Sequence, residues 1–176
     1  NCLSKIYSLA GEKQFSPIQE LSLDLSAYFR NIFKDGSQLI PLEVELNSVG
    51  SYIRLQQVGT KLPPRLQVDV DTVASKALVP PLSILTFVEN SIKYALNTTA
   101  GTDAEKMCIR ITVTSFERDD YPYATICVQD NGAGYPEELL DSLNANKHIH
   151  KTDGTHLGLY NTIQRLSILF GEKASW

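Results

Sequence analysis

The spacing of apolar residues changes near residue 60, and that change limits what the chain can fold into. Ahead of it, apolar residues recur every three or four positions. Ile18, Leu21, Leu25, Tyr28 or Phe29, and Ile32 form one stripe, and Leu42, Leu46, Val49 and Ile53 form another. Such spacing gathers side chains on one side of an α-helix. Ser16-Pro17-Ile18-Gln19 reads as a helix start, with Ser as N-cap, Pro at the first helical position and Gln at the capping-box position. Lys34-Asp35-Gly36-Ser37 separates the two stripes. Two helices and a short loop predict an antiparallel hairpin. Two fates of the stripes stay open: burial in a dimeric bundle, or cover for the domain that follows.

Residues 59–65, GTKLPPR, are the expected boundary, dividing a helical segment (1–60) from a second domain (61–176). Beyond it the period becomes two. LQVDV (66–70), MCIRITVTSFE (107–117) and YATICVQ (123–129) alternate as strands, and the last two are joined as a hairpin across ERDDYP. Helical spacing returns in PPLSILTFVENSIKYAL (80–96), where Leu82, Leu85, Val88, Ile92 and Ala95 share a side. It returns again in 136–143 and in 157–171, the latter stopped by Gly171. Residues 145–156 are polar and aperiodic, hence a loop. Strands interleaved with helices after a helical segment predict an α+β fold.

Composition narrows the function classes. The net charge is −4 with no Lys/Arg cluster, which disfavours a nucleic-acid or anionic-membrane surface. No apolar run reaches the length of a membrane span. Cys2, Cys108 and Cys127 form no CxxC pair and no zinc spacing, so a reduced, cytosolic setting fits best. The first residues carry neither a signal-peptide pattern nor a starting Met, so the chain reads as a fragment.

Three stretches carry candidate chemistry. On the helix of 80–96, Asn90, Lys93 and Tyr94 stand at i, i+3 and i+4, with Glu89 at the border of their face. An Asn amide oxygen can ligate Mg²⁺ and a Lys can meet phosphate. Taken alone, the same face reads as a polar surface with a Glu89–Lys93 pair. In DNGAGYP (130–136), a strand ends on Asp130, followed by Gly132 and Gly134. A carboxylate there needs a donor, and the exocyclic amine of adenine is one. An ordinary Asx turn is the competing reading. In GTHLGLYN (154–161), Gly154 and Gly158 bracket a helix start, whose N–H groups suit phosphate. The dinucleotide fingerprint is absent, since its third glycine position is Glu137, and no P-loop occurs. His148, His150 and His156, with Asp153, invite a metal reading, but their loose loop spacing favours a polar lid.

Taken together and in this order, the three stretches resemble the N, G1 and G2 boxes of the GHKL ATP-binding superfamily. That superfamily includes histidine kinases, gyrase B subunits, MutL and the large heat-shock ATPase chaperones. PPLSILTFVENSIKYA, DNGAGYP and GLYNTIQRLSILFG look like the LytS/YesM-type sensor histidine kinases, and PLEVELNSVGSYIRLQ resembles their second dimerisation helix. The resemblance covers nearly the whole chain. It implies a helical dimerisation segment followed by an α/β sandwich of the Bergerat type, a mixed sheet covered by helices on one face. It implies ATP and Mg²⁺ as cofactors, a homodimer through the N-terminal helices, and a response regulator as partner. It also implies the cytoplasmic portion of a membrane sensor, with the membrane parts outside this chain.

The resemblance assigns roles residue by residue. Asp130 would bind the adenine amine, with Gly132 and Gly134 giving the nucleotide room. Asn90 would hold Mg²⁺ on the phosphates, with Glu89 orienting water at that site. Lys93 and Tyr94 would contact phosphate, and Gly154, Thr155, Leu157 and Gly158 would form the lid and phosphate end. Two positions depart from the family: Tyr94 often stands as His, and His156 often as Gly. The family's phospho-acceptor lies in an HFLYN-like motif. Asn1 would be its last residue, which puts the acceptor outside the chain, and GEKASW would stop short of a further strand. Two rivals remain, a gyrase- or MutL-type ATPase and a silent nucleotide-binding scaffold. The ATPases carry a general-base Glu four residues before the magnesium Asn, where this chain has Thr86.

Overall fold

The computed structural model describes residues 2–32, 38–58, 63–95, 107–135, 137–144 and 157–176. The helical segment holds α1 (Cys2–Gly11), α2 (Phe15–Ile32) and α3 (Leu42–Gln57). Lys13 turns the chain between α1 and α2 with a φ of 58°. α2 starts at Phe15, so Ser16 lies inside its first turn rather than capping it, and Pro17 is its third residue rather than its first. Pro is tolerated there because the first N–H groups have no intrahelical acceptor.

The rest of the chain follows its periodicity. β1 (Ile40–Pro41) pairs antiparallel with β3 (Leu78–Val79) in a short ribbon that no sequence pattern announces. β2 (Arg65–Val70), β4 (Cys108–Arg118) and β5 (Tyr121–Asp130) form a mixed sheet in the order β2-β4-β5. β2 runs parallel to β4, and β5 runs antiparallel to it. The hairpin is tighter than the sequence implied. Asp119 and Asp120 alone make the turn, with φ of 53° and 61°. Two consecutive positive φ values match the twist of the flanking strands, and Asp tolerates them.

Helices cover one face of the sheet, as the resemblance implied. Ile109, Ile111 and Val113, alternate residues of β4, are fully buried on that face. They pack with Val49 and Ile53 of α3 and with Leu85, Val88 and Ile92 of α4 (Ser83–Ala95) in one core. The stripe expected on α3 is thus buried against the sheet side, except for half-buried Leu46. A smaller cluster of Leu9, Leu21 and Leu55 ties α1 and α2 to α3. The opposite sheet face carries polar and aromatic side chains, with Arg110 donating to Gln67 at 3.2 Å and the Phe116 and Tyr123 rings stacked at 5.4 Å. α5 (Glu137–Asn144) and α6 (Leu157–Phe170) complete the fold. One expectation fails: Leu82 is not part of α4, although it packs against the same core as Leu85, Val88 and Ile92. α4 begins at Ser83, and Leu82 precedes it with a φ of 63°, outside the helical region.

Candidate functional site

α4 is the wall against which the three motif stretches meet. Its residues Thr86, Asn90 and Tyr94 follow at i, i+4 and i+8 and so share a face. At the Thr86 level, α6 comes close. A Cβ added at Gly158 would stand 3.2 Å from the Thr86 methyl, so glycine there lets the start of α6 approach α4. Gly158 therefore has a packing reason as well as the expected place at the phosphate end. One turn on, the Asn90 amide Nδ2 donates to the Thr86 carbonyl at 2.7 Å. That bond commits the nitrogen to the helix and leaves Oδ1, the metal-ligating atom of an amide, as the end not so engaged.

At the next position Ser91 reaches the sheet. Its Oγ hydroxyl donates to Asp130 Oδ2 at 2.6 Å, within the range of a charge-assisted bond. Register explains the meeting. Asp130 is opposite Ile109 and therefore projects to the helix-covered face, although it ends the strand and remains exposed. Its other oxygen, Oδ1, accepts the N–H of Gly132 at 2.8 Å, an Asx-type bond. The Asx turn and the ligand reading are therefore not exclusive, because a carboxylate has acceptor sites beyond these two. Gly134 follows with a φ of 78°, a conformation glycine adopts without strain. Asn131 Oδ1 accepts the N–H of Cys108 at 2.8 Å and fastens this loop to β4.

Two tyrosines stand near Asp130. Burial, then the Asp130 charge and Tyr94, push the Tyr135 phenol above its ordinary value. Lys93 is exposed, and its Nζ lies 5.1 Å from the centre of the Tyr94 ring. Glu89 is half-buried beside Asn90. Leu157 opens α6 and is exposed. Gly154, Thr155 and the expected loop of 145–156, with its three histidines, lie outside the described residues. No metal-binding cluster of His, Cys, Asp and Glu occurs among the described residues.

Sequence reasoning does not single out Ser91 or Tyr135. Ser91 is a polar residue placed three positions after buried Val88, at 7% exposure, and a hydroxyl at a core position signals a partner elsewhere. Tyr135 lies inside DNGAGYP, where the acid and the glycines carry the pattern and the tyrosine adds no signal of its own. The donor set suits an adenine nucleotide. Asp130 is a fixed acceptor for an amine, Asn90 offers an amide oxygen one turn from the start of α6, and glycines stand where backbone must come close.

Comparison with known proteins agrees. Residues 83–176 match the model of the histidine kinase-, DNA gyrase B-, and HSP90-like ATPase family, and residues 1–62 match a histidine kinase model. The chain is 36% identical over 178 residues to the sensor protein LytS of Staphylococcus saprophyticus, covering 99% of this chain and 28% of that protein. It is 32% identical over 158 residues to the sensor protein LytS of Bacillus subtilis, covering 89% of this chain and 25% of that one. The sensor histidine kinase/phosphatase LytS of Staphylococcus aureus strain MRSA252 is 32% identical over 177 residues, or 99% of this chain and 28% of the relative. The chain thus spans about a quarter of the length of these curated relatives. Since the ATPase model takes in more than half of its residues, among them Asn90, Asp130 and Gly158, the chain belongs to the histidine kinase-, DNA gyrase B-, and HSP90-like ATPase family.

Proposed function

We propose that the chain is the ATP-binding catalytic core of a two-component sensor histidine kinase. It transfers the γ-phosphoryl group of ATP to a histidine outside residues 1–176, and from there to an aspartate of a response regulator. The observation that carries this is the convergence on α4: Ser91 holds Asp130, and Thr86 meets Gly158, with Asn90 between them. An adenine held at Asp130 and phosphates at the start of α6 would then lie on either side of Asn90.

In this reading Asp130 takes the adenine amine, and Gly132 and Gly134 admit the nucleotide. Asn90 Oδ1 would hold Mg²⁺, which when bound neutralises phosphate charge. Glu89 orients water beside Asn90. Lys93 and Tyr94 face phosphate, and Gly154, Thr155, Leu157 and Gly158 form the lid end. Catalysis is mainly positioning and charge neutralisation. Residues 1–60 form the dimerisation segment and 61–176 the catalytic domain. Tyr7, Phe15 and Leu23, exposed by 84%, 67% and 72%, support a homodimer through α1 and α2. No described helix is long and apolar enough to cross a membrane, in keeping with a cytoplasmic portion of a membrane sensor.

The hydrolase rival loses ground at Thr86. That position lacks a carboxylate, and its Oγ1 donates to the Leu82 carbonyl at 2.7 Å, which occupies the hydroxyl within the helix. The test uses two proteins: this chain, and the chain extended upstream by an HFLYN-like segment. Incubated with γ-labelled ATP and Mg²⁺, the extended protein should gain an acid-labile phosphohistidine and the chain alone should not. Rapid phosphate release without labelling would favour the ATPase, and nucleotide binding with neither would favour the scaffold. Stoichiometric labelling of His148, His150 or His156 would overturn the location of the acceptor.

A further inference from the structure

α4 begins without a cap of its own. The first N–H groups of a helix have no intrahelical acceptor, and a flanking Ser, Thr, Asp or Asn usually meets one of them. Here the flanking residue is Leu82, apolar and in the left-handed region. Two of the orphan donors are met instead by a carboxylate from far back in the chain. Leu82 donates its N–H to Glu45 Oε2 at 2.8 Å, 37 residues away, and Leu85 donates to Oε1 at 3.1 Å. Glu45 belongs to α3 and has 0% exposure.

A third helix reaches the same place. Arg165 of α6 donates from its guanidinium to the Pro81 carbonyl, one residue ahead of Leu82, and its charge is felt at Glu45. Burial pushes the Glu45 carboxyl above its ordinary value, against the opposing pull of the backbone N–H groups and Arg165. Buried Glu45 and half-buried Arg165 therefore form a polar node where α3, α4 and α6 meet. Asn90 lies about two turns along α4 from this node, and Gly158 about two turns back along α6 from Arg165. A buried carboxylate is costly unless its oxygens are met by donors, so the start of α4 is held to Glu45 within narrow limits, and α6 is tied to the same place through Arg165 and the Pro81 carbonyl.

We propose that Glu45 is a positioning residue for the phosphate end of the nucleotide site, setting from α3 where Asn90 stands against the start of α6. The inference rests on the ATP reading above. It makes α3 the element through which the helical segment bears on the nucleotide, because a shift of α3 moves the cap of the helix that carries Asn90. Asp130 is held by Ser91 and Gly132, and neither Glu45 nor Arg165 bonds to either of those restraints.

That separation supplies the test. Glu45→Gln keeps the shape but puts an amide donor against a backbone N–H. Binding of Mg²⁺-ATP is measured by calorimetry, and binding of adenosine without Mg²⁺ by NMR titration. Both are run on the 176-residue chain at a temperature where circular dichroism shows it folded. Adenosine reports on Asp130, whereas Mg²⁺-ATP reports on Asn90 and the start of α6 as well. The expected result is a roughly tenfold weaker Mg²⁺-ATP affinity with adenosine changed by less than about twofold. Equal weakening of both ligands, or no change in either, overturns the proposal. If Glu45→Gln does not fold, Arg165→Lys takes its place, and the same split between the two ligands supports or overturns the proposal. A wild-type chain that binds neither ligand overturns the nucleotide reading, and this inference with it. A wild type that binds both, with a variant indistinguishable from it, overturns this inference alone.

Discussion

The contact between Ser91 and Asp130 allows the adenine assignment to be tested by a double-mutant cycle. The Ser91 hydroxyl donates to Asp130 Oδ2 at 2.6 Å, and the Gly132 N–H to Oδ1 at 2.8 Å, so the carboxylate plane is fixed from both sides. Ser91→Ala removes one of these restraints. Asp130 is exposed, so in the free protein water can replace the hydroxyl and the stability cost should be about 1 kcal/mol or less. With a base covering the carboxylate, water is excluded and the loose oxygen matters more. A tenfold loss of ATP affinity, about 1.4 kcal/mol, is expected. Asp130→Asn replaces the charged acceptor itself. A hydrogen bond to a charged group is worth ~1.5–3 kcal/mol, so a loss of roughly ten- to a hundred-fold is expected. Once the carboxylate is gone, orienting it has no value, and the double variant should fall short of additivity by about 1 kcal/mol. GTP has a carbonyl where adenine has its 6-amino group, so it should bind the wild type poorly and respond little to either change. Calorimetric titration of the four proteins with both nucleotides is the assay. Losses that add within about 0.5 kcal/mol, or equal affinities of the wild type for ATP and GTP, would refute the reasoning.

Asn90→Ala should abolish Mg²⁺-dependent ATP binding while costing no more than about 1 kcal/mol of stability, because it removes one half-buried bond to the Thr86 carbonyl; a melting shift like that of a core truncation, about 2–5 kcal/mol, would make the residue structural instead. Gly158→Ala sets the helix preference for Ala against a 3.2 Å approach to the Thr86 methyl, which the Thr86 hydroxyl bond to Leu82 stops from rotating away. Crowding should win by about 1 kcal/mol, and adding Thr86→Ser should return it in denaturant unfolding; no recovery would show that the methyl is not the obstacle. Asp71 is held below the ordinary carboxylate range, first by the N–H of Ala74 at 2.6 Å and then by the N–H of Ser115. Its unfolded form takes up a proton more readily, so its stabilisation is present above the ordinary value and is lost as pH falls through the lowered one. Melting curves of wild type and Asp71→Asn should therefore converge in acid, and curves that stay parallel would contradict this.

What could be read from the sequence, and what could not, divides by the range of the interaction. The strands were legible because alternation is local: Ile109, Ile111 and Val113 announce one buried face, and Asp130 joins it by register. Asn90 and Lys93 were legible because helical spacing puts them on one face without reference to anything else. The β1–β3 ribbon was not legible, since two-residue strands carry no period. Nor was the true start of α4. Pro80-Pro81 and the apolar spacing both extend the pattern to Leu82, while the donors that fix the boundary depend on Glu45 in another helix. Yet the partners that hold the site left a trace. Glu45 stands three residues after buried Leu42 and four before buried Val49, so it occupies a stripe position that should be apolar. Ser91 stands at such a position on α4. A polar group in a core stripe is destabilising unless it finds a partner, either within its own helix, as Ser48 and Ser51 do on α3, or in a distant element that periodicity cannot locate. Glu45 and Ser91 are of the second kind, and they fix the two ends of α4: Glu45 caps its start, and Ser91 ties its later turns to the strand end that carries Asp130. Asn90 lies between them, so two residues that break the hydrophobic pattern hold the helix on either side of it.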